Sequence, residues 1–227
     1  MIKHHPTSQQ LNAFVSGVCE PTLALMISAH TDLCAECQAK CLKLQHVETI
    51  DAFSSPVART PELDKMFSRI TQLPQQQKTL IADSPFEGSG LSHFDIELEG
   101  KRFVLPRTLK RYAKHTGNWS RLVGKLWQAP VDLGCMGKAN FIYMEKGGKV
   151  PEHTHKGSEM TLVIDGQYGD GVANYDCGDF TLLDGTHNHL PHSEADEGCL
   201  VFTIVDKPLY FTSGIARLLN PFSHLFF

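Results

Sequence analysis

No apolar run in the 227 residues approaches the ~18 needed to cross a bilayer, and the best candidate, Leu23 to Ala29, is far too short. Charge of one sign is also scarce. Acidic residues outnumber basic ones by only 25 to 21, a formal net charge of −4, too mild for a nucleic-acid groove or an electrostatic membrane anchor. The opening Met1-Ile-Lys-His-His-Pro6 lacks an apolar stretch followed by a small-residue cleavage site, so no secretory signal is expected. These absences predict a soluble, cytoplasmic protein. What is abundant is metal-binding chemistry, with 12 His and 7 Cys. An odd number of thiols cannot all pair, and cytosolic thiols are mostly reduced, so close Cys and His spacings point to metal.

The pattern divides the chain into an α+β multidomain protein. Residues 1–73 read as a small helical bundle. Thr7 and Gln10 form a capping-box pattern, Leu11, Phe14 and Val15 follow at helical spacing, and Gly17 is a stop. Pro21 suits the first turn of a second helix, a third begins near Cys34 and runs through Leu44, and Thr60-Pro61 starts a fourth. Residues 74–92, with Pro74, three glutamines, Pro85, Gly88 and Gly90, read as a linker. Residues 93–227 turn β-like. Phe94, Ile96 and Leu98 alternate with polar residues, and short apolar runs at Phe141, Met160, Phe180 and Leu200 are separated by glycine turns, which predicts a β-barrel or sandwich. A linker of this composition implies that each half folds as its own unit.

His30-x3-Cys34-x2-Cys37 places three ligand-type side chains at offsets that share a helix face. Two thiolates and an imidazole fill three corners of a zinc tetrahedron, and sulfur favours zinc over magnesium or calcium. A redox pair would follow a strand in a βαβ unit, which is absent. The fourth ligand must come from elsewhere, with His4 and His5 the first candidates and Cys19 and Cys41 their competitors.

At these residues the chain resembles the ChrR-type zinc-binding anti-sigma factors, and the resemblance covers nearly its whole length because that family also carries a C-terminal cupin-like domain. It implies an N-terminal zinc site of His5, His30, Cys34 and Cys37, the choice of His5 over His4 resting on the family's spacing.

Gly147-x5-His153-x-His155-x3-Glu159-x6-Gly166 fits the first cupin motif at every fixed position. Residues two apart in a strand face the same side, so both imidazoles point into a barrel, and Glu159 returns after a turn. A later strand supplies His187 or His189, with His192 a weaker third. The resemblance favours His189, which is followed by Leu190-Pro191 as the family's last ligand is followed by x-Pro. Three imidazoles and a carboxylate suit zinc or another divalent transition metal.

Cupins include enzymes and sensing modules, and the fold does not choose between them. No further residue set announces a reaction; Glu152 and Asp184 could orient ligand histidines, but each reads better as a surface residue. A zinc-binding helical domain has no catalytic need to be there, whereas a bundle that buries part of a partner does. Leu63, Met66, Phe67 and Ile70 form an apolar stripe on the fourth helix, fit for a partner or for the bundle's own core. Residues 1–73 are nearly balanced in charge, which favours a protein partner over DNA. The resemblance implies a non-enzyme: an anti-sigma factor that sequesters an extracytoplasmic-function sigma factor and releases it under oxidative stress from singlet oxygen or related oxidants. The alternative is a cupin-type, dioxygenase-like metalloenzyme with a helical appendage.

Overall fold

The computed structural model describes residues 1–54, 60–73, 95–122, 124–134 and 138–225. The expected linker at 74–92 lies outside the described residues.

The helical half opens with α1 (Ser8–Val15), whose capping box is complete: Thr7 Oγ1 accepts from the Gln10 amide, and the Thr7 amide donates to the Gln10 side chain. Gly17 follows at φ 71°, the left-handed turn that ends a helix. Then come α2 (Pro21–Leu33), α3 (Ala35–Ser54) and α4 (Pro61–Gln72), the last capped by Thr60 with Pro61 in its first turn. Helix α3 runs ten residues past the expected Leu44, but its outer turns leave Val47, Ile50 and Phe53 exposed.

A hairpin of β1 (Ile96–Leu98) and β2 (Lys101–Phe103) and the short helix α5 (Arg107–Lys110) lead into an antiparallel sheet. Its strands are β3 (Ser120–Arg121), β4 (Leu126–Val131), β5 (Lys138–Met144), β6 (Gly148–Lys149), β8 (Glu159–Gly169), β9 (Asn174–Asp176), β10 (Phe180–Leu183), β11 (His192–Ser193) and β12 (Cys199–Val205). The order is β3-β4-β5-β12-β8-β11-β6, with β9 and β10 also on β8, while β7 (His153–His155) pairs with β13 (Leu209–Phe211). The central register sets Phe202 opposite both Phe141 and Leu162, and Val201 opposite Ile142 and Val163. Alternation therefore gives the curled sheet two apolar faces. The inner one gathers Leu126, Ile142, Met144, Val163, Tyr168, Tyr175 and Val201.

The outer face holds Phe141, Tyr143, Leu162, Ile164, Leu200 and Phe202, and α2 packs on it through Leu25, Met26 and Ala29. The other side of α2 turns Ile27 toward Leu11, Cys34, Cys37 and Cys41 of the helical core. A helix packed on both sides needs apolar residues on more than one face, and α2 supplies Leu25, Met26 and Ala29 on one and Ile27 on the other. The Asp32 carboxylate accepts the Thr108 amide at 2.6 Å, and Ser28 and Thr108 share a hydrogen bond at 2.9 Å. The helical half is thus docked on the sheet through α2, where Leu25 and Met26 each contribute about 1.5–3 kcal/mol. A correction concerns α4: none of its residues is buried, and Leu63, Met66, Phe67 and Ile70 are all exposed, so among the described residues the helical core is built from α1 to α3 and the segments that adjoin them, without α4.

Candidate metal centres

The first cluster forms where α2 and α3 meet. The chain is not one continuous helix here: Cys34 sits between the two with extended backbone (φ −109°, ψ 99°). His30 lies in the last turn of α2, Cys37 in the first turn of α3, and the Cys34 sulfur accepts the Cys37 amide at 3.4 Å. The bend, rather than one helix face, turns the three side chains toward a point. A sulfur at a helix N-terminus is also placed to carry negative charge.

The N-terminal segment closes the fourth corner. His5 Nδ1 lies 3.5 Å from Cys34 Sγ and 3.4 Å from Cys37 Sγ, and the ligand atoms of His5, His30, Cys34 and Cys37 all fall within 4.8 Å of one another. Tetrahedral zinc bonds of about 2.0–2.3 Å require ligand separations of roughly 3.3–3.8 Å, so the spacing fits. His30 points the same way: its Nδ1 bonds the Gly178 carbonyl at 2.8 Å, and its buried Nε2 has no hydrogen-bond partner. Burial holds its pKa down to about 4, leaving a neutral, ligating imidazole. Burial, and next the Cys34 sulfur beside it, push the Cys37 thiol up to about 12 without metal, so a cation must displace its proton. His4 points elsewhere, its ring 4.6 Å from that of Tyr175. Cys41 is buried in the helical core and Cys19 packs at its margin; neither joins the cluster.

The second cluster lies inside the curled sheet. His153 and His155 stand two apart on β7, Glu159 opens β8, and His189 forms an isolated bridge with His153. The His189 Nε2 is 2.9 Å from His153 Nε2 and 3.0 Å from His155 Nε2, and Glu159 Oε2 is 3.2 Å from His155 Nε2. Ligands about 2.1 Å from a common ion and at right angles to each other sit about 3.0 Å apart, so this set fits a divalent transition metal with positions to spare. The Pro151 carbonyl takes His153 Nδ1 at 2.8 Å, leaving Nε2 to face inward. The Nδ1 atoms of His155 and His189 are buried without partners.

Burial sets the protonation of this cluster. It lowers His153 and His155 to about 4 and His189 to about 3, and raises Glu159 to about 7. Between these values His155 and Glu159 are both neutral in the metal-free chain, so their contact is not an ion pair. Thr161 Oγ1 donates to Glu159 at 2.8 Å. The cavity beside the cluster has a volume of about 30 Å³, walled by Ile142, Met144, Val150, Val201 and Leu209. Glu152 and Asp184 do not orient these histidines: Glu152 accepts from Asn188, and Asp184 pairs with the exposed His187. His192 bonds the Leu190 carbonyl and also stays outside. The orienting groups are backbone carbonyls, of Gly178 for His30 and Pro151 for His153, which no residue motif encodes.

The ChrR cupin-like domain family matches residues 131–207. The anti-sigma-E factor ChrR of Cereibacter sphaeroides is 26% identical over 223 residues, covering 97% of this chain and 98% of that protein. In a crystal structure of Rhodobacter sphaeroides SigE in complex with the anti-sigma ChrR, the matched chain superposes with a TM-score of 0.65 at 24% identity, over 91% of this chain and 100% of its own. The resemblance read from the two motifs is borne out: residues 131–207 match the ChrR cupin-like domain family, in a chain similar to the anti-sigma factor ChrR along nearly its whole length.

Proposed function

We propose that this chain is a cytoplasmic, zinc-dependent anti-sigma factor that sequesters an extracytoplasmic-function sigma factor, with zinc held by His5, His30, Cys34 and Cys37. The observation that carries this reading is the extent of the similarity: it spans 97% of this chain and 98% of an anti-sigma factor, so both halves fall inside it. The exposed apolar side chains give the helical half a task. Leu63, Met66, Phe67 and Ile70 of α4, with Val47, Ile50 and Phe53 of α3, leave more apolar surface in water than a finished bundle needs, and a partner protein would cover it. No helix among the described residues is long and apolar enough to cross a membrane, in keeping with a soluble partner.

The second cluster, with zinc or another divalent transition metal on His153, His155, Glu159 and His189, is assigned to sensing rather than catalysis. A cavity of about 30 Å³ beside the four ligands has room for about two waters. An oxidant such as singlet oxygen or a product of it is of the right size. When bound, the metal would supply the redox or Lewis-acid chemistry, while His153, His155, Glu159 and His189 hold it in a pocket walled by apolar side chains. The sigma factor is released when the signal alters the relative stability of bound and free states.

Co-expression with a sigma factor encoded beside this chain tests the reading. Wild type and His153→Ala/His155→Ala should both co-purify with it. A reporter driven by that sigma factor should be induced by oxidant in wild type and stay silent before and after oxidant in the double variant. Constitutive reporter activity in the variant would assign the second cluster to inhibition, and normal induction would remove it as the sensor.

A further inference from the structure

The first cluster is not held by the helical half alone. Asp179, 1% exposed, lies in the turn between β9 and β10 and spends both carboxylate oxygens on backbone. Its Oδ1 accepts the amides of Lys3 at 2.6 Å and His4 at 2.9 Å, and its Oδ2 accepts the Asp176 amide at 2.8 Å. The Phe180 amide closes the same strap by donating to the His4 carbonyl at 3.0 Å. His5, the next residue, is thereby delivered to the two cysteines. Gly178 adds the carbonyl that fixes His30, and the strap lies so close that a Cβ on Gly178 would come within 2.4 Å of Ile2 Cδ1. Gly178 also sits at φ 91°, a conformation other residues rarely adopt. Two of the four candidate zinc ligands are thus oriented by one turn of the sheet.

The other end of that hairpin reaches the second cluster. Tyr168 lines the cavity beside His153, Glu159 and His189. Its ring stacks on Tyr175 at 4.8 Å, and Tyr175 in turn meets the His4 ring. The Tyr175 hydroxyl donates to Asp170 Oδ2 at 2.7 Å, and the Asp170 carbonyl accepts the amide of Leu190, next to His189. Buried aromatic and hydrogen-bonded contacts of this kind transmit displacement because packed interiors have little slack.

We propose that the hairpin from Tyr168 to Phe180 is the coupling element between the two metal clusters: Gly178 and Asp179 position the zinc ligands His30 and His5, and Tyr168 and Tyr175 connect that support to the barrel cluster. The proposal deepens the assignment of sensing to the barrel cluster, on which its physiological meaning rests. The turn acts by orientation, as partners behind a ligand do, and losing such a partner costs about 10–100-fold in metal affinity.

The test is the rate at which the full-length protein gives up its N-terminal zinc to a chromogenic chelator, with no sigma factor present. Asp179→Ala should lose zinc at least about tenfold faster than wild type. Asp179→Asn, which keeps the shape and one accepting oxygen, should fall between them and serves if the alanine variant does not fold. His153→Ala/His155→Ala, which leaves one metal site, should lose zinc several-fold faster than wild type. Adding Asp179→Ala to it should give a rate no faster than Asp179→Ala alone, since both act through one element; Tyr175→Ala should likewise remove the effect of the barrel changes. Unchanged zinc loss in both Asp179 variants overturns the positioning role. Barrel and Asp179 effects that simply multiply overturn the coupling. Neither result depends on a sigma factor, so the hairpin and the proposed function fail separately.

Discussion

The two clusters solve the same problem in opposite ways. The barrel cluster draws His153 and His155 from β7, Glu159 from the start of β8 and His189 from a segment bridged to β7, where strand alternation points side chains inward. The N-terminal cluster draws on three pieces that share no sheet or continuous helix: a strap, the end of α2 and the start of α3, gathered by a bend at Cys34 and by a turn of the sheet. The first kind of site is preformed by its scaffold. The second ties its pieces together, because the strap meets the two cysteines only through thiol–imidazole contacts of about 3.5 Å that an ion would replace with bonds. The difference teaches where metal removal should act as unfolding and where it should act as a local change.

The largest effect follows directly. Cys34→Ser/Cys37→Ser should remove one equivalent of zinc and the binding energy that organises strap, α1 and α3, a term of roughly 10–16 kcal/mol in small zinc domains. Helicity and sigma-factor binding should fall together while the inner face of the curled sheet, which no helical side chain joins, keeps its packing. The barrel variant should lose its metal with far less helicity. Equal loss of helicity in the two variants would erase the distinction. Within the same site, His5→Ala should weaken zinc much more than His4→Ala, whose ring packs on Tyr175 instead; titration with a competing chelator decides between them.

The clusters also differ in how legible they were in the sequence. Both ligand sets could be read because their spacing is short: His30-x3-Cys34-x2-Cys37 lies within two helical turns, and the cupin motif sits on one strand and the next. His5 and His189 come from distant segments, and only the family resemblance pointed to them rather than to His4 or His187. The element starts at Thr7, Pro21 and Thr60 were legible because capping is local chemistry. Strand β4 was not, since Pro130 lies within it and argues against a strand. Nor was the docking of α2 on the outer face of the sheet: a helix with apolar residues on more than one face announces burial but not against what. Gly178-Asp179 read as an ordinary turn, because the sequence cannot show which backbone amides a carboxylate will collect.

A second, intermediate effect contrasts α2 with α4. Both carry apolar side chains, but α2 buries Met26, Ile27 and Ala29 completely, whereas Phe67 of α4 is 65% exposed. Met66→Asp/Phe67→Asp should therefore leave zinc content and thermal stability unchanged. It should weaken sigma-factor binding by a hundredfold or more, the scale of two buried anchors at about 2 kcal/mol each. Isothermal titration against the purified sigma factor measures it. Unaltered affinity would mean that the partner lies elsewhere, the outer turns of α3 being next in line.

The smallest effect is also the one that separates the two sites by chemistry alone. Protons compete with metal for every ligand whose pKa lies above the working pH, and each such ligand costs about tenfold in affinity per pH unit. In the barrel, burial has moved the histidines down to about 3–4 and Glu159 up to about 7. From pH 5 to 7 only Glu159 must give up a proton, so affinity should rise about tenfold per unit there and level off above pH 7. Four ordinary ligands would behave differently, because exposed imidazoles near 6.5 would steepen the slope below that value. At the N-terminal site His30 is likewise held neutral, but Cys37 stays protonated up to about 12 in the metal-free chain. Zinc affinity there should keep rising through pH 8 and 9, after the barrel has levelled off. Metal titrations on the Cys34→Ser/Cys37→Ser variant isolate the barrel, and on the His153→Ala/His155→Ala variant the N-terminal site. Parallel pH profiles from the two would mean that burial has not set the barrel apart, and a barrel slope of three protons between pH 5 and 7 would mean that its histidines remain as basic as free imidazole.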